Sequence, residues 1–319
     1  MVVMTTVGLL TTVWCVLGFA APAVATNPRA GQSCRGGSVA TATAGNSDKT
    51  LTAIAAPGAW SLSKGGGVTV AVIDTGIALA APRSPWVWWA QSRSFVAGEG
   101  LADADGHGTE MADIIHTVAP RARILILKAL NNSGGGSDRD VAKAIRFAVA
   151  RGAQIINLSA AGGGANGEVG SAVTYAGLHG VLVVMAAGND GVDLDKYPSG
   201  AANYQRGYVV VVAATDLSGN LIGSSDYGRH TVSLGAPGLD IPTLSVSGMP
   251  TQVTGTSPAA ALTSGTAALV LARSQGQSVS ELRNALLNGS RRKRPLASTT
   301  ASGGMLDASG AVECASGNH

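Results

Sequence analysis

The chain has 319 residues, of which 45% are hydrophobic, only 13% are charged and 44 are glycine, a compact, fold-forming composition with many tight turns. Its net charge of +3, from 22 basic and 19 acidic residues, is scattered apart from Arg291-Arg292-Lys293-Arg294, which argues against nucleic acid as a partner. That tetrabasic run follows a predicted helix and reads as a solvated surface loop, with a processing site as the lesser reading.

Residues 1–25 read as an export signal: an apolar stretch over 7–21 precedes Ala23-Val24-Ala25, the small-x-small pattern that a signal peptidase accepts. Cleavage there leaves Thr26 at the N-terminus and a secreted or periplasmic protein, with no stable membrane insertion afterwards. No Lys or Arg precedes the apolar stretch, so an uncleaved anchor is the alternative, though the run is short for a bilayer. Removal of the signal takes Cys15 with it. Cys34 and Cys314 remain, and in an oxidising compartment an even count suggests one disulfide between the chain ends. Residues 26–50 are polar, small and turn-rich, a poorly ordered lead-in; a single folded domain is expected over 51–319.

Within that domain apolar runs alternate with helical patterns. Strands are expected over 68–73, 124–127, 155–158, 181–184 and 209–213, with helices after His107, from Ser137 to just before Gly152, near 168–178, and from Ser257 to Arg273. Asp140, three residues after Ser137, completes a capping box there. Ser257 stands where an N-cap belongs and Pro258 at the first helical position. Continuous apolar strands separated by helices mean an α/β fold of three layers, with a mostly parallel central sheet flanked by helices.

Ligands bind at the carboxyl ends of the strands in such a sheet, and the polar signals cluster there. Asp74 ends the first strand, within Ile73-Asp74-Thr75-Gly76. His107 lies between glycines in Gly106-His107-Gly108-Thr109, at the mouth of a helix. Asn189 follows a strand in Ala187-Gly188-Asn189, and Ser257 follows Gly255-Thr256. Alone, each has a plainer reading: a turn or cap for Asp74 and Asn189, a structural or exposed histidine, an ordinary capped core helix at Ser257. Together they are the parts of acyl transfer. A base must take the serine proton, a carboxylate holds the imidazole tautomer, and an amide beside the serine N–H supplies two donors to an oxyanion.

With these four motifs in this order the chain resembles the subtilisin-like serine proteases, or subtilases, from about Leu51 to Val312. The resemblance implies the subtilisin-like fold and a secreted serine endopeptidase that hydrolyses peptide or protein substrates through an acyl-enzyme. Its catalytic residues would be Asp74, His107 and Ser257, with Asn189 as oxyanion donor. It further implies substrate pairing along Gly134-Gly135-Gly136 and along Ser159-Ala160-Ala161-Gly162. A pocket for the residue before the scissile bond would be walled by Ser159 to Gly162 and by Ala186-Ala187-Gly188. Asp190 and Lys196 fall near positions that tune charge preference, and Tyr197-Pro198 near a common cis proline. A monomer with no cofactor and no metal is expected.

Four departures stand out. Glu110-Met111-Ala112-Asp113 replaces histidine and small residues after Gly-Thr, bringing carboxylates that could raise the His107 pKa or satisfy the helix N-terminus. Ala261 stands four residues after the nucleophile in place of proline, which motivates a peptide ligase or transpeptidase using the same acyl-enzyme. A catalytically silent peptide-binding homologue is the other alternative. The run from His107 to Lys128 is too short for subtilisin's high-affinity calcium loop, and the lead-in is too short for a folded inhibitory pro-domain.

Overall fold

A computed structural model describes residues 49–78, 84–159, 167–204 and 206–316. The signal, most of the lead-in, Cys34 and the Ala160-Ala161-Gly162 stretch lie outside the described residues. Strands β1 (Thr69–Asp74), β2 (Arg93–Ser94), β3 (Arg123–Lys128), β4 (Ile155–Leu158), β5 (Leu182–Ala186), β6 (Val209–Thr215) and β7 (Leu234–Pro237) are joined by helices α3 (His107–Val118), α4 (Asp138–Ala150) and α5 (Glu168–Leu178). Two short helices, α1 (Lys49–Ala53) and α2 (Ala56–Trp60), precede them. The hairpin β8 (Ile241–Leu244) and β9 (Pro250–Val253) leads into α6 (Thr256–Arg273). The chain then runs through α7 (Val279–Asn288), β10 (Arg291–Arg292), β11 (Gly304–Met305) and α8 (Ala308–Ser316). The main sheet has the order β10-β11-β7-β6-β5-β4-β1-β3-β2. Its pairs are parallel except β10 with β11.

Alternation along the buried strands divides the core into two layers. Val70 and Val72 of β1, with Ile124 and Ile126 of β3, join the cluster built on α3, α6 and α8. Ala71, Ile73, Leu125 and Leu127 join the cluster built on α4 and α5. Asp74 and Lys128 continue the first series, one step beyond the last apolar residue, which carries them to the α3 side at the strands' carboxyl ends. α6 is buried from Thr256 to Val270, as expected of a helix whose surface is small and apolar on all sides. It packs against α3, α8 and strands β4 to β7.

Several sequence expectations shift by a residue or change character. Lys49 and Thr50, which the sequence reading places in the poorly ordered lead-in, belong to α1, and Thr50 is buried. Ser137 caps α4 by accepting the Asp140 N–H at 3.1 Å, but the reciprocal half of the box is absent: the Asp140 carboxylate takes the Ser137 hydroxyl at 2.8 Å. The Tyr197–Pro198 bond is trans, in a turn closed by the Lys196 and Tyr197 N–H groups on the Asp193 carbonyl. The tetrabasic run is not a loop at its start: Arg291 and Arg292 form β10, and Arg291 donates to the Ala53 carbonyl at 2.6 Å and faces Asp307.

Candidate active site

Asp74 leaves β1 nearly fully buried, and its Oδ1 accepts the next residue's N–H, that of Thr75, at 2.8 Å. The same oxygen meets His107 Nδ1 at 2.7 Å. Asp74 Oδ2 is buried and has no hydrogen-bond partner among the described residues, so the bonding seen there is concentrated on the oxygen that faces the imidazole. This contact fixes Nδ1 as the protonated ring nitrogen of the neutral imidazole and leaves Nε2 as the acceptor.

His107 opens α3, whose N-cap Gly106 sits at φ 108° and has no side chain to cap with. Asp103 supplies the cap from further upstream. Its Oδ1 accepts the Gly106 N–H (2.8 Å) and the Thr75 hydroxyl (2.9 Å), and its Oδ2 accepts the Thr109 N–H (2.9 Å) and hydroxyl (2.6 Å). Burial would raise the Asp103 pKa, but these hydrogen bonds outweigh it and hold the carboxyl below its ordinary value. Thr75 Oγ1 in turn accepts the Gly108 N–H at 2.8 Å. The strand end and the helix start are thereby tied into one unit.

The electrostatics favour the imidazolium. Burial lowers the His107 pKa, but the Asp74 charge and hydrogen bond, with Glu110 and Asp105, raise it to about 9. Glu110 is itself raised, by burial first and by the neighbouring Asp103, Asp105 and Asp74, against the attraction of His107. Asp113 takes no part in this. Its Oδ2 accepts the Thr243 hydroxyl (3.0 Å) and the Leu244 N–H (3.1 Å) of β8.

Ser257 is the second residue of α6, not its cap; Gly255 occupies the N-cap at φ 144°. Freed from capping, the Ser257 hydroxyl donates to the Ser159 carbonyl at 3.3 Å, and no hydrogen bond joins it to His107. Ser159 directly follows β4. The register Ile73 with Leu158 carries Asp74 and Ser159 to neighbouring strand ends. Beneath them Asn157 Nδ2 donates to Ser159 Oγ (2.9 Å) and Asn157 Oδ1 accepts from Ser264 of α6 (2.8 Å), a satisfied buried network that anchors α6 to β4. Asn189 is exposed, and its Oδ1 accepts both the N–H (2.9 Å) and the hydroxyl (3.1 Å) of Thr256, next to Ser257.

A buried carboxylate on an imidazole, beside a helix-start serine and an oriented amide, is equipment for acyl transfer. Comparison with known proteins agrees: the model of the Subtilase family matches residues 65–310. The chain belongs to the subtilase family. It is 34% identical to thermitase of Thermoactinomyces vulgaris over 252 residues, covering 74% of this chain and 85% of that protein. It is 33% identical to subtilisin Savinase of Lederbergia lenta over 234 residues, covering 70% and 83%. Among solved structures, MycP1 with its N-terminal propeptide removed superposes with a TM-score of 0.67 at 28% identity, covering 83% of this chain and 96% of that one. As a subtilase the chain is a serine-type endopeptidase acting on peptide or protein substrates, with the family's α/β fold.

The other residues singled out in this subtilase's sequence fall in two groups. Ala186, Ala187 and Gly188 run from β5 to Asn189, with Gly188 at φ 123°. Gly188 is closed in by Asp226: its carbonyl accepts the Asp226 N–H at 2.9 Å, and a Cβ on it would meet Asp226 Oδ2 at 2.1 Å. The Gly134-Gly135-Gly136 stretch is exposed, but its backbone is partly engaged. Gly134 donates to the Asn131 carbonyl and Gly135 to Asn131 Oδ1, while the Gly135 carbonyl accepts the Asn131 N–H at 2.6 Å. Asp190 donates its N–H to Asp226, and Lys196 pairs with Asp193. Asp195 is taken by His230 and Thr231.

Sequence reasoning missed Asp103 and Asp226, and missed the supporting roles of Thr75 and Thr256 within their motifs. Asp103 alone carried a usable signal, an aspartate just ahead of a helix that begins at glycines. The others act through tertiary contacts that no local pattern encodes.

Proposed function

We propose that this subtilase cleaves peptide bonds with Ser257 as nucleophile, His107 as general base and then acid, Asp74 as its orienting carboxylate, and Asn189 with the Ser257 N–H as oxyanion donors. The 2.7 Å contact between Asp74 Oδ1 and His107 Nδ1 carries this reading: it presets the tautomer whose Nε2 accepts a proton. The Ser257 hydroxyl is held on the Ser159 carbonyl, and catalytic hydrogen bonds commonly form or tighten only with substrate bound. Attack forms the acyl-enzyme as His107 passes the serine proton to the leaving amine, and water then completes hydrolysis. Substrate backbone lies along Gly134-Gly135-Gly136 and along Ser159 to Gly162, with Ala186-Ala187-Gly188 walling the pocket.

The same reading makes residues 1–25 a cleaved export signal, 26–50 a lead-in and 51–319 the peptidase domain. Among the described residues no helix is long and apolar enough to cross a membrane. Export into an oxidising compartment allows a Cys34–Cys314 disulfide, testable by mass spectrometry of non-reduced peptides. The catalytic assignment is tested by peptide hydrolysis in Ser257→Ala, His107→Ala and Asp74→Asn. Each is expected to lose about 10⁴-fold or more in kcat; retention of wild-type turnover by any of them contradicts its role.

A further inference from the structure

Lys128 is the largest fully buried side chain among the described residues, and no step of the proposed mechanism uses it. It ends β3, paired in register with Asp74, at a site where a methionine would fill similar space without carrying a charge out of water. Its Nζ donates to the Thr75 carbonyl and, at 2.9 Å, to Asn132 Oδ1, and it meets Glu99 Oε2 at 3.1 Å. The same Glu99 oxygen accepts the Asn132 N–H at 3.1 Å. The three hydrogens of one ammonium thus reach three separate segments: the turn after Asp74, the loop carrying Gly134 to Gly136, and the Glu99 segment.

We propose that Lys128, with Glu99 as its counter-charge, is a positioning residue that joins the substrate-facing loop to the Asp74–His107 pair. The proposal rests on the assignment of those residues above. On one side Lys128 holds the carbonyl of Thr75, the residue whose N–H binds Asp74 Oδ1 and whose hydroxyl binds Gly108. On the other it holds Asn132, next to Asn131, whose side chain closes the glycine loop. The charged groups acting on His107 are Asp74 of β1, Asp105 ahead of α3 and Glu110 of α3, all acidic, and Lys128, in register with Asp74, brings a positive charge to the same strand end.

The test is the titration of the His107 imidazole followed by NMR in the whole protein, with the resonance assigned by His107→Gln. Removing the ammonium in Lys128→Met is expected to move the midpoint up, and removing its counter-charge in Glu99→Gln to move it down, each by about half a pH unit or more. The Asn132 amide is expected to exchange at least about tenfold faster in Lys128→Met. A lysine that merely fills the core would alter thermal unfolding and leave both readouts in place. Unchanged midpoints, or midpoints moving in the same direction, overturn the proposal. Should Lys128→Met fail to fold, Glu99→Gln decides alone, since Glu99 is partly exposed, and an unmoved midpoint there overturns it. The titration needs no turnover, so a failure of the catalytic assignment, read separately by active-site labelling of Ser257, is not confused with a failure of this one.

Discussion

Asn189 Oδ1 receives two hydrogen bonds from Thr256, one from its backbone N–H at 2.9 Å and one from its hydroxyl at 3.1 Å. A backbone N–H can only donate, so the amide's orientation is settled by chemistry: oxygen towards Thr256, Nδ2 turned away as a donor. The residue that orients Asn189 is the immediate neighbour of Ser257, so Thr256 ties together the two proposed oxyanion donors, which come from separate segments of the chain.

Asn189→Ala is therefore expected to lower kcat by about 10²–10³ with little change in KM, a magnitude known from subtilisin and carried over here. Steady-state kinetics on a peptide substrate check this. A raised KM at unchanged kcat would assign Asn189 to substrate binding.

The acidic surroundings of His107 give a pH dependence. With a pKa raised to about 9, the imidazole is protonated at neutral pH, so kcat/KM should climb with pH through a midpoint near that value. Glu110→Gln removes one of the raising charges and is expected to move the midpoint down, increasing kcat/KM at neutral pH. The same shift is a stability effect. A folded pKa above the ordinary 6.5 contributes stability fully present below about 6.5 and lost as pH rises through about 9. The gap in urea midpoint between wild type and His107→Gln should narrow over that window.

Asp103→Ala leaves four donors from Thr75, Gly106 and Thr109 without their acceptor at the start of α3. A loss of about 2–3 kcal/mol in unfolding free energy is expected, measured by urea denaturation, with kcat falling because His107 opens the same helix.

Gly188→Ala meets two obstacles, a φ of 123° and Asp226 Oδ2 at 2.1 Å from the new Cβ. Asp226 has little room to yield, because its other oxygen holds the Asp190 (3.0 Å) and Val192 (2.8 Å) N–H groups. The variant is expected to displace Asn189 and to lose kcat more than KM.

Much of the fold was legible because the central strands β1, β3, β4, β5 and β6 are largely apolar runs and α4 begins at the Ser137 cap. The helix at Glu168–Leu178 and the end of α6 at Arg273 lie where the pattern puts them. The four motifs were legible because Asp74 ends β1, His107 begins α3, Ser257 stands in the first turn of α6 and Asn189 shortly follows β5. The cap of α6 was misread by two residues: Ser-Pro looks like a cap with its first helical residue, but Gly255 takes the cap with a positive φ and Thr256 becomes the first turn's contact to Asn189. The β8–β9 hairpin escaped notice because its strands pair with each other outside the main sheet. Lys128 was invisible for a different reason. A lysine closing a run of Ile and Leu reads as a strand's solvent-facing end, and only the approach of Thr75, Asn132 and Glu99 makes a buried ammonium tolerable there.

Reaction of the folded protein with a fluorophosphonate, followed by mass spectrometry to locate the adduct, tests most directly whether Ser257 is an activated nucleophile. A single adduct on Ser257, lost in Ser257→Ala and suppressed in His107→Ala, is the expected result. Folded protein that stays unlabelled, or labelling at another serine, would contradict it.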